Sequence, residues 1–422
     1  MSAFASASPA VVVFAGVLVL AIVVVGGSPP HDDPSLAPPW PDMRGNNSRS
    51  DAFGGKALTC PVTDASRSSF SSSAAGAVPR VLIITFTTFA YRRVVENMIA
   101  SMHMAQRFSR VGVDDGFPPQ LDVAASLYVL CLDRKVTDWC RQQGLNCVPF
   151  HAHFANTSLD DLWMLRLQLV QDCLHHGFDV WMNDADAVWL RDPWPLIHRE
   201  LTVHKADIVA QRGGFPFEIG KAWGATMCFG FVYMRATAAT KLVVALALQL
   251  APYLERDDQL LVNSAVYLLA TGRQQLLLPL SPHDFDALLR HLGVQVGTPE
   301  APGQPALQFT GPGGVAERAK CHHRPLCYRQ SHATAVVDVG LTDVPTQSLH
   351  HMRVALLGHA QVPRRCHPRF DGVQSAQGQQ GPFVAHCYTS KTGAAKAQVF
   401  HKYNLWFINT TATVDDASSP SP

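Results

Sequence analysis

Asp184 and Asp186 stand two residues apart at the end of the apolar run Val180-Trp181-Met182, and this spacing is the most informative chemical signal in the chain. In extended backbone, residues i and i+2 face one side, so both carboxylates would meet one ion while small Ala185 points away. Two carboxylates at a strand end suit a hard divalent cation such as Mn2+ or Mg2+, which leaves positions open for phosphate oxygens. Such an ion neutralises the charge that builds as a sugar–phosphate bond breaks, as a nucleotide diphosphate leaves. Plain solvation of two strand-end acids is the alternative that the same residues allow. Asp-x-Asp is a short pattern, and Asp284-Phe285-Asp286 repeats it. There Ser281 and Pro282 read as the cap and first turn of a helix, on which i and i+2 diverge, so these acids fit the helix dipole instead.

Elements around the pair must bring it to a ligand. Val81 to Phe86 reads as a buried parallel strand, and Tyr91 to Phe108 as a helix with Val94, Val95, Met98, Ile99 and Met102 on one face. Leu127 to Leu132 is a second strand, Thr137 to Gln143 a short helix stopped by Gly144, and Cys147 to Phe150 a third strand. Leu162 to His175 is a helix stopped by Gly177, and Val180 to Met182 begins the fourth strand. This alternation predicts an α/β fold, a mostly parallel sheet with helices on both faces, whose ligands gather at the carboxyl ends of the strands. No GxGxxG follows the first strand, so a dinucleotide fingerprint is absent.

Composition narrows the partners. Apolar types make up 47% of the 422 residues, enough for a substantial core, and the net charge is +1 without a basic stripe, which excludes nucleic acid as a charge-selected partner. After a short tail (1–9), residues 10–27 form an uncharged apolar run of about 18 residues, just long enough for a membrane span. It reads as a signal anchor, with a signal peptide cleaved at Gly26-Gly27-Ser28 or a buried helix as alternatives. Either signal reading places the body in a lumen, and the sequons at Asn46, Asn156 and Asn409 fit that side. Residues 28–78 read as a flexible stem whose Cys60 can pair with the body, 79–409 as the catalytic domain, and 410–422 as a disordered tail. Within the domain, 298–395 reads as a Gly-, Gln- and His-rich insertion stapled by Cys321, Cys327, Cys366 and Cys387. A zinc site from Cys321, His322, Cys327 and Cys366 is the second reading.

The run Asp184-Ala185-Asp186-Ala187-Val188-Trp189-Leu190-Arg191-Asp192-Pro193 resembles the D-x-D-x-V-W-L-R-D-P signature of nucleotide-diphospho-sugar transferases. The group concerned includes plant extensin arabinosyltransferases and rhamnogalacturonan-II xylosyltransferases. The resemblance implies a GT-A fold, a retaining mechanism, Mn2+ or Mg2+, and a Golgi membrane protein of type II topology anchored through its N-terminal helix. The donor would be a nucleotide sugar, a UDP-sugar by expectation, and the acceptor a glycan or glycoprotein. Residue by residue, it assigns Thr87 and Thr88 to the nucleotide, Arg166 to the donor sugar, and Asp184 to donor and metal. It assigns Asp186 and His401 to the metal, the latter through His401-Lys402-Tyr403-Asn404. Gly230 sits in a strand resembling T-G-F-x-x-x-R, and Asp258-Gln259 with Asn263 resembles D-Q-x-x-x-N, whose acid lies near the transferred sugar; Asp258 and Gln259 are thus the candidate catalytic pair. Cys228-Phe229 departs from the pattern, since relatives often carry Asn or Asp before a small residue there. Two other readings compete: a metal-dependent phosphohydrolase, for which further ligands at other strand ends are missing, and an inactive lumenal binding protein of the same fold.

Overall fold

A computed structural model of the protein describes residues 59–61, 80–109, 121–150, 158–223, 225–271, 352–364, 366, 381–386 and 392–408, with the strand backbone alone at 294–295, 308–310, 334–343 and 349–351. The apolar run 10–27, nearly all of the stem, the three sequons, Asp284-Phe285-Asp286 and the tail fall outside the described residues. Among the described residues no helix is long and apolar enough to cross a membrane.

The strands are β1 (Val81–Thr87), β2 (Leu127–Cys131), β3 (Asn146–Pro149), β4 (Asp179–Asn183), β5 (Ala187–Trp189), β6 (Ile208–Gly213), β7 (Thr226–Met234), β8 (Val294–Gln295), β9 (Gln308–Thr310), β10 (Thr334–Asp343), β11 (Leu349–Leu357) and β12 (Val384–His386). The helices are α1 (Arg92–Ser109), α2 (Val123–Ser126), α3 (Arg134–Gln142), α4 (Leu159–His175), α5 (Trp194–Val203), α6 (Phe217–Trp223), α7 (Ala238–Leu250), α8 (Asp258–Thr271) and α9 (Gly393–Lys402). One sheet runs β3-β2-β1-β4-β7-β6-β11-β10-β8, with β9 also on β10. β3, β2, β1 and β4 are mutually parallel, as are β6 and β11, whereas β7 and β10 run against their neighbours. The parallel α/β expectation therefore holds for the first half, and β7 reverses direction between β4 and β6. The chain goes outward from β1 through β2 to β3 and then returns to β4 on the other side of β1. That reversal makes the carboxyl ends of β1 and β4 a topological switch point, the place where open α/β sheets bind ligands.

Alternating side chains fill two layers. Leu82, Ile84, Val180, Met182, Val232 and Met234 pack with Leu162, Leu169 and Val170 of α4, and with Val243 of α7 and Val262 of α8. Val81, Ile83, Trp181, Phe231 and Tyr233 pack with Met98 of α1, Val136 of α3 and Ile197 of α5 on the other face. Local caps begin the helices: Asp133 accepts from Val136 N before α3, and Ser158 with Asp161 forms a capping box before α4. Gly144 and Gly177 end their helices with φ of 66° and 81°, a conformation that glycine adopts without Cβ strain.

The stretch 298–395 contributes strands to the main sheet. β10 and β11 lie inside it and extend the main sheet, β11 lying parallel to β6, while β12 pairs antiparallel with β5 as a second, two-stranded sheet. Composition disguised these strands, because Gly, Gln and His between them break the apolar pattern. Cys60 is bonded to Cys173 of α4, which ties the stem to the body as expected, and Cys131 is bonded to Cys147. Cys366 is disulfide-bonded, and Cys321, Cys327 and Cys387 fall outside the described residues.

Trp181 is fully buried, stacked on Trp189 at 4.9 Å and edge-on to Phe231 at 5.6 Å. Replacing it by alanine would open a large cavity between the two strands that flank Asp184 and Asp186. Urea unfolding of Trp181→Ala should show a loss of about 3–5 kcal/mol; a loss below about 1 kcal/mol would contradict this packing.

Candidate metal and donor site

Asp184 and Asp186 are not on extended backbone. β4 ends at Asn183, and the next residues form a tight turn in which Ala187 N donates to Asp184 O at 2.8 Å before β5 begins. The turn, rather than the i, i+2 alternation of a strand, brings the carboxylates together. Asn183 latches it from below: its Nδ2 donates to Ala187 O at 3.3 Å and its Oδ1 accepts from Trp189 Nε1 at 3.0 Å. Asp184 N donates to Gly230 O at 2.7 Å, which fixes the turn against β7.

His386 completes the cluster. Its ring nitrogen and the carboxylate oxygens of Asp184 and Asp186 all lie within 4.8 Å of one another. Nε2 is 3.5 Å from Asp186 Oδ1 and 3.8 Å from Asp184 Oδ2. The position follows from pairing: β12 places His386 opposite Ala187, directly beside Asp186. Gln211 Oε1 accepts from His386 Nδ1 at 2.6 Å, while Gln211 Nε2 donates to Pro363 O at 3.0 Å and reaches His386 O at 3.3 Å. With Nδ1–H committed to Gln211, Nε2 is the nitrogen left to act as a ligand, the arrangement that orients metal-binding imidazoles.

The sequence assigned the histidine of this site to His401. The structure brings His386 to the carboxylates instead; His401 is exposed on α9, with its ring centroid 4.8 Å from that of Trp406. A faint signal existed: Phe383-Val384-Ala385-His386 is, like the Asp184 segment, a short apolar run ending in a ligand-type residue. Only its pairing with β5 distinguishes it from the other histidines.

Gly230 shapes the space between the groups. A Cβ there would fall 2.8 Å from Asp184 Cγ and 2.5 Å from His386 Cε1, closer than side chains pack. Two hard carboxylates, one oriented imidazole and a gap kept open by glycine fit a divalent cation.

Charge around the cluster is balanced by distant elements. Arg166, buried on α4, donates from Nη1 to Asp184 Oδ1 at 2.9 Å and also pairs with Asp258 at the start of α8. Trp163, Phe86 and Phe229 surround its guanidinium at 4.6, 5.0 and 5.1 Å. Asp161, in the first turn of the same helix, pairs with Arg256 at 2.7 Å. Lys396 of α9, unsuspected from the sequence, pairs with the second oxygen of Asp186. Burial would raise the Asp186 carboxyl, but His386 and Lys396 hold it well below the usual carboxylate range. Burial disfavours charge on His386, yet Cys228 and Asp186 draw its pKa up to about 10. Cys228 Sγ lies 3.8 Å from His386 Nδ1, and although burial opposes ionisation, His386 and Arg364 lower the thiol's pKa.

The two candidate catalytic residues part company. Asp258 is buried against Arg166 and joined through it to Asp184. Gln259 is a brace: its Oε1 accepts from Phe229 N at 3.2 Å and its Nε2 donates to Phe215 O at 2.7 Å. Asn263, one turn further along α8, holds Met227 N and O at 2.7 and 2.9 Å. Both satisfy backbone groups of β7 where its register with β6 shifts beside Gly230. Thr87 and Thr88 leave β1 at the edge where β4 delivers Asp184. Thr87 Oγ1 donates to Thr88 O at 3.0 Å, and Asp133 fixes the loop by accepting from Phe89 N at 2.7 Å.

Residues 123–273 match the family model of nucleotide-diphospho-sugar transferases. The matched stretch includes Arg166, Asp184, Asp186, Gly230, Asp258 and Gln259, and the family is the one that the sequence resemblance pointed to. A comparison with curated proteins found no match. Among solved structures, the bifunctional glycosyltransferase WbbM is similar at 11% identity over 46% of this chain and 39% of its own, with a TM-score of 0.31. The chain thus spans well under half the length of that protein. Mouse xyloside xylosyltransferase 1 is similar at 13% identity over 44% and 81%, with a TM-score of 0.29. The galactosyltransferase LgtC, solved with donor and acceptor sugar analogues, is similar at 14% identity over 43% and 69%, with a TM-score of 0.28. Scores of this size assign neither fold nor function, so the family match stands alone.

Two outcomes follow from the site. Gly230→Ala should weaken Mn2+ binding at least tenfold by calorimetry while the protein still folds, a range set by groups that orient metal ligands; unchanged affinity would mean that the gap is not the cation's place. Burial pushes the Asp258 carboxyl up to about 7 from the ordinary 3.8, with Arg166 pulling down and Asp257 adding to the rise. A raised folded pKa means that the fold binds this proton more tightly, so its stabilising contribution is complete below about pH 4 and is lost as pH rises through about 7. Thermal melts of Asp258→Asn should therefore show less decline in stability between about pH 5 and 8 than the parent; an identical slope would place the titration elsewhere.

Proposed function

We propose that this chain is a metal-assisted glycosyltransferase that moves a sugar from a nucleotide diphosphate, a UDP-sugar in our reading, onto a glycan or glycoprotein. The observation that carries the proposal is the convergence of Asp184, Asp186 and His386 around the gap left by Gly230, at the switch point of the sheet. Those three side chains would hold Mn2+ or Mg2+. When bound, the cation supplies positive charge for the departing diphosphate.

The remaining groups act on that framework. Gln211 fixes the His386 tautomer, and Arg166 and Lys396 each hold one carboxylate in place. Asp258 positions Arg166, and through it Asp184, and Gln259 with Asn263 secures the β7 segment that lines the gap. Thr87 and Thr88, at the end of β1, lie on the edge that would receive the nucleotide. Retention of configuration is part of the proposal through the family resemblance, and no covalent nucleophile is assigned. Residues 10–27 are proposed as a type II anchor that places the domain in the Golgi lumen.

The test uses the purified chain with UDP-galactose, UDP-xylose and UDP-arabinose, with Mn2+ or with EDTA, reading UDP release. Release is expected from at least one donor, lost with EDTA, and reduced at least 100-fold in His386→Ala, the upper end expected for loss of metal-site support. Inorganic phosphate as the product would favour the phosphohydrolase reading. No release from any donor would favour an inactive binding protein.

A further inference from the structure

Three cationic side chains border the carboxylate–histidine cluster, and they differ in what neutralises them. Arg166 is held between Asp184 and Asp258, and Lys396 faces Asp186. Arg364, in the segment leaving β11, has no carboxylate partner among the described residues; its Nη1 meets Cys228 Sγ at 2.5 Å. Sulfur is a weak acceptor, whereas a guanidinium carries five donors in a planar fork that matches carboxylate and phosphate oxygens. Arg364 is also half-buried, so part of its hydration is lost without an oxyanion to replace it.

Its place gives this excess charge a role. Cys228 touches the Nδ1 edge of His386, while Asp184 and Asp186 face Nε2. Arg364 therefore stands one side chain from the cluster, next to the β7 segment that ends at Gly230, where its charge can reach a ligand without displacing a metal ligand. Neither Arg166 nor Lys396 is free to do this unless it abandons a carboxylate.

We propose that Arg364 is an anion-binding residue of the substrate site, receiving an oxyanion from either the diphosphate or the carboxylate of an acidic sugar. The proposal rests on the nucleotide-sugar reading above, and the two can fail separately. Calorimetry with Mn2+ present would compare UDP, UDP-glucose and UDP-glucuronate on the parent chain, Arg364→Met and Arg364→Lys. Roughly tenfold weaker binding of all three to Arg364→Met, as expected on losing a charged hydrogen bond, would identify the diphosphate as the source. Weakening confined to UDP-glucuronate would identify the sugar carboxylate. Arg364→Lys keeps the charge but not the fork and should fall between; it also carries the test if Arg364→Met does not fold. Parent-like affinity of either folded variant for all three ligands would overturn the proposal. If the parent chain binds none of them, the nucleotide-sugar reading falls first and this proposal with it.

Discussion

Two carboxylates confined to one tight turn repel each other, and the site depends on how that repulsion is compensated. Asp184 leans on Arg166, Asp186 on Lys396, and both face His386. The compensating groups come from α4, α9 and β12, elements far apart in sequence. Buried charges are tolerated only when paired and hydrogen-bonded, so these contacts also hold the elements in register. The network extends further, because Arg166 needs Asp258 on α8 for its remaining charge. Removing one member leaves its neighbour uncompensated, which makes the cluster an all-or-none structure rather than a sum of pairs.

The backbone is arranged to serve this turn. β1 and β4 deliver their carboxyl ends to one switch point because the chain reverses its direction of travel across the sheet at β1. The stacked Trp181 and Trp189 flank the turn, and Asn183 closes it with hydrogen bonds. β7 contributes an absence: without a side chain at Gly230, the carboxylate, the imidazole and a cation can share one space. α8 then secures β7 by giving Gln259 and Asn263 to its backbone where the ladder shifts. Gln259, a candidate catalytic residue through the resemblance, makes hydrogen bonds to backbone here.

Strands β1 to β4 and helices α1, α3 and α4 were legible because each shows local apolar periodicity bounded by a cap or a glycine. Boundaries moved by only a few residues: α4 starts at Leu159, earlier than the periodicity suggested, because Ser158 and Asp161 cap it. The reversed β7 was not legible, since a fully buried strand reads the same in either direction. Nor was the role of 298–395, where β11 gains its place by pairing with β6 rather than by any pattern of its own.

The sequence by itself determined the pair of carboxylates and the apolar strand that leads to them, because these lie in one short run with fixed local spacing, while Arg166, Gly230 and Asp258 came to the site through the family resemblance. Only the tertiary structure decided that His386 rather than His401 faces the pair, that Lys396 and Arg166 divide the two charges, and that Gln259 braces backbone. Those choices depend on strand pairing and on side chains separated by scores of residues. Nothing in the local sequence distinguishes one histidine from another until β12 lies against β5.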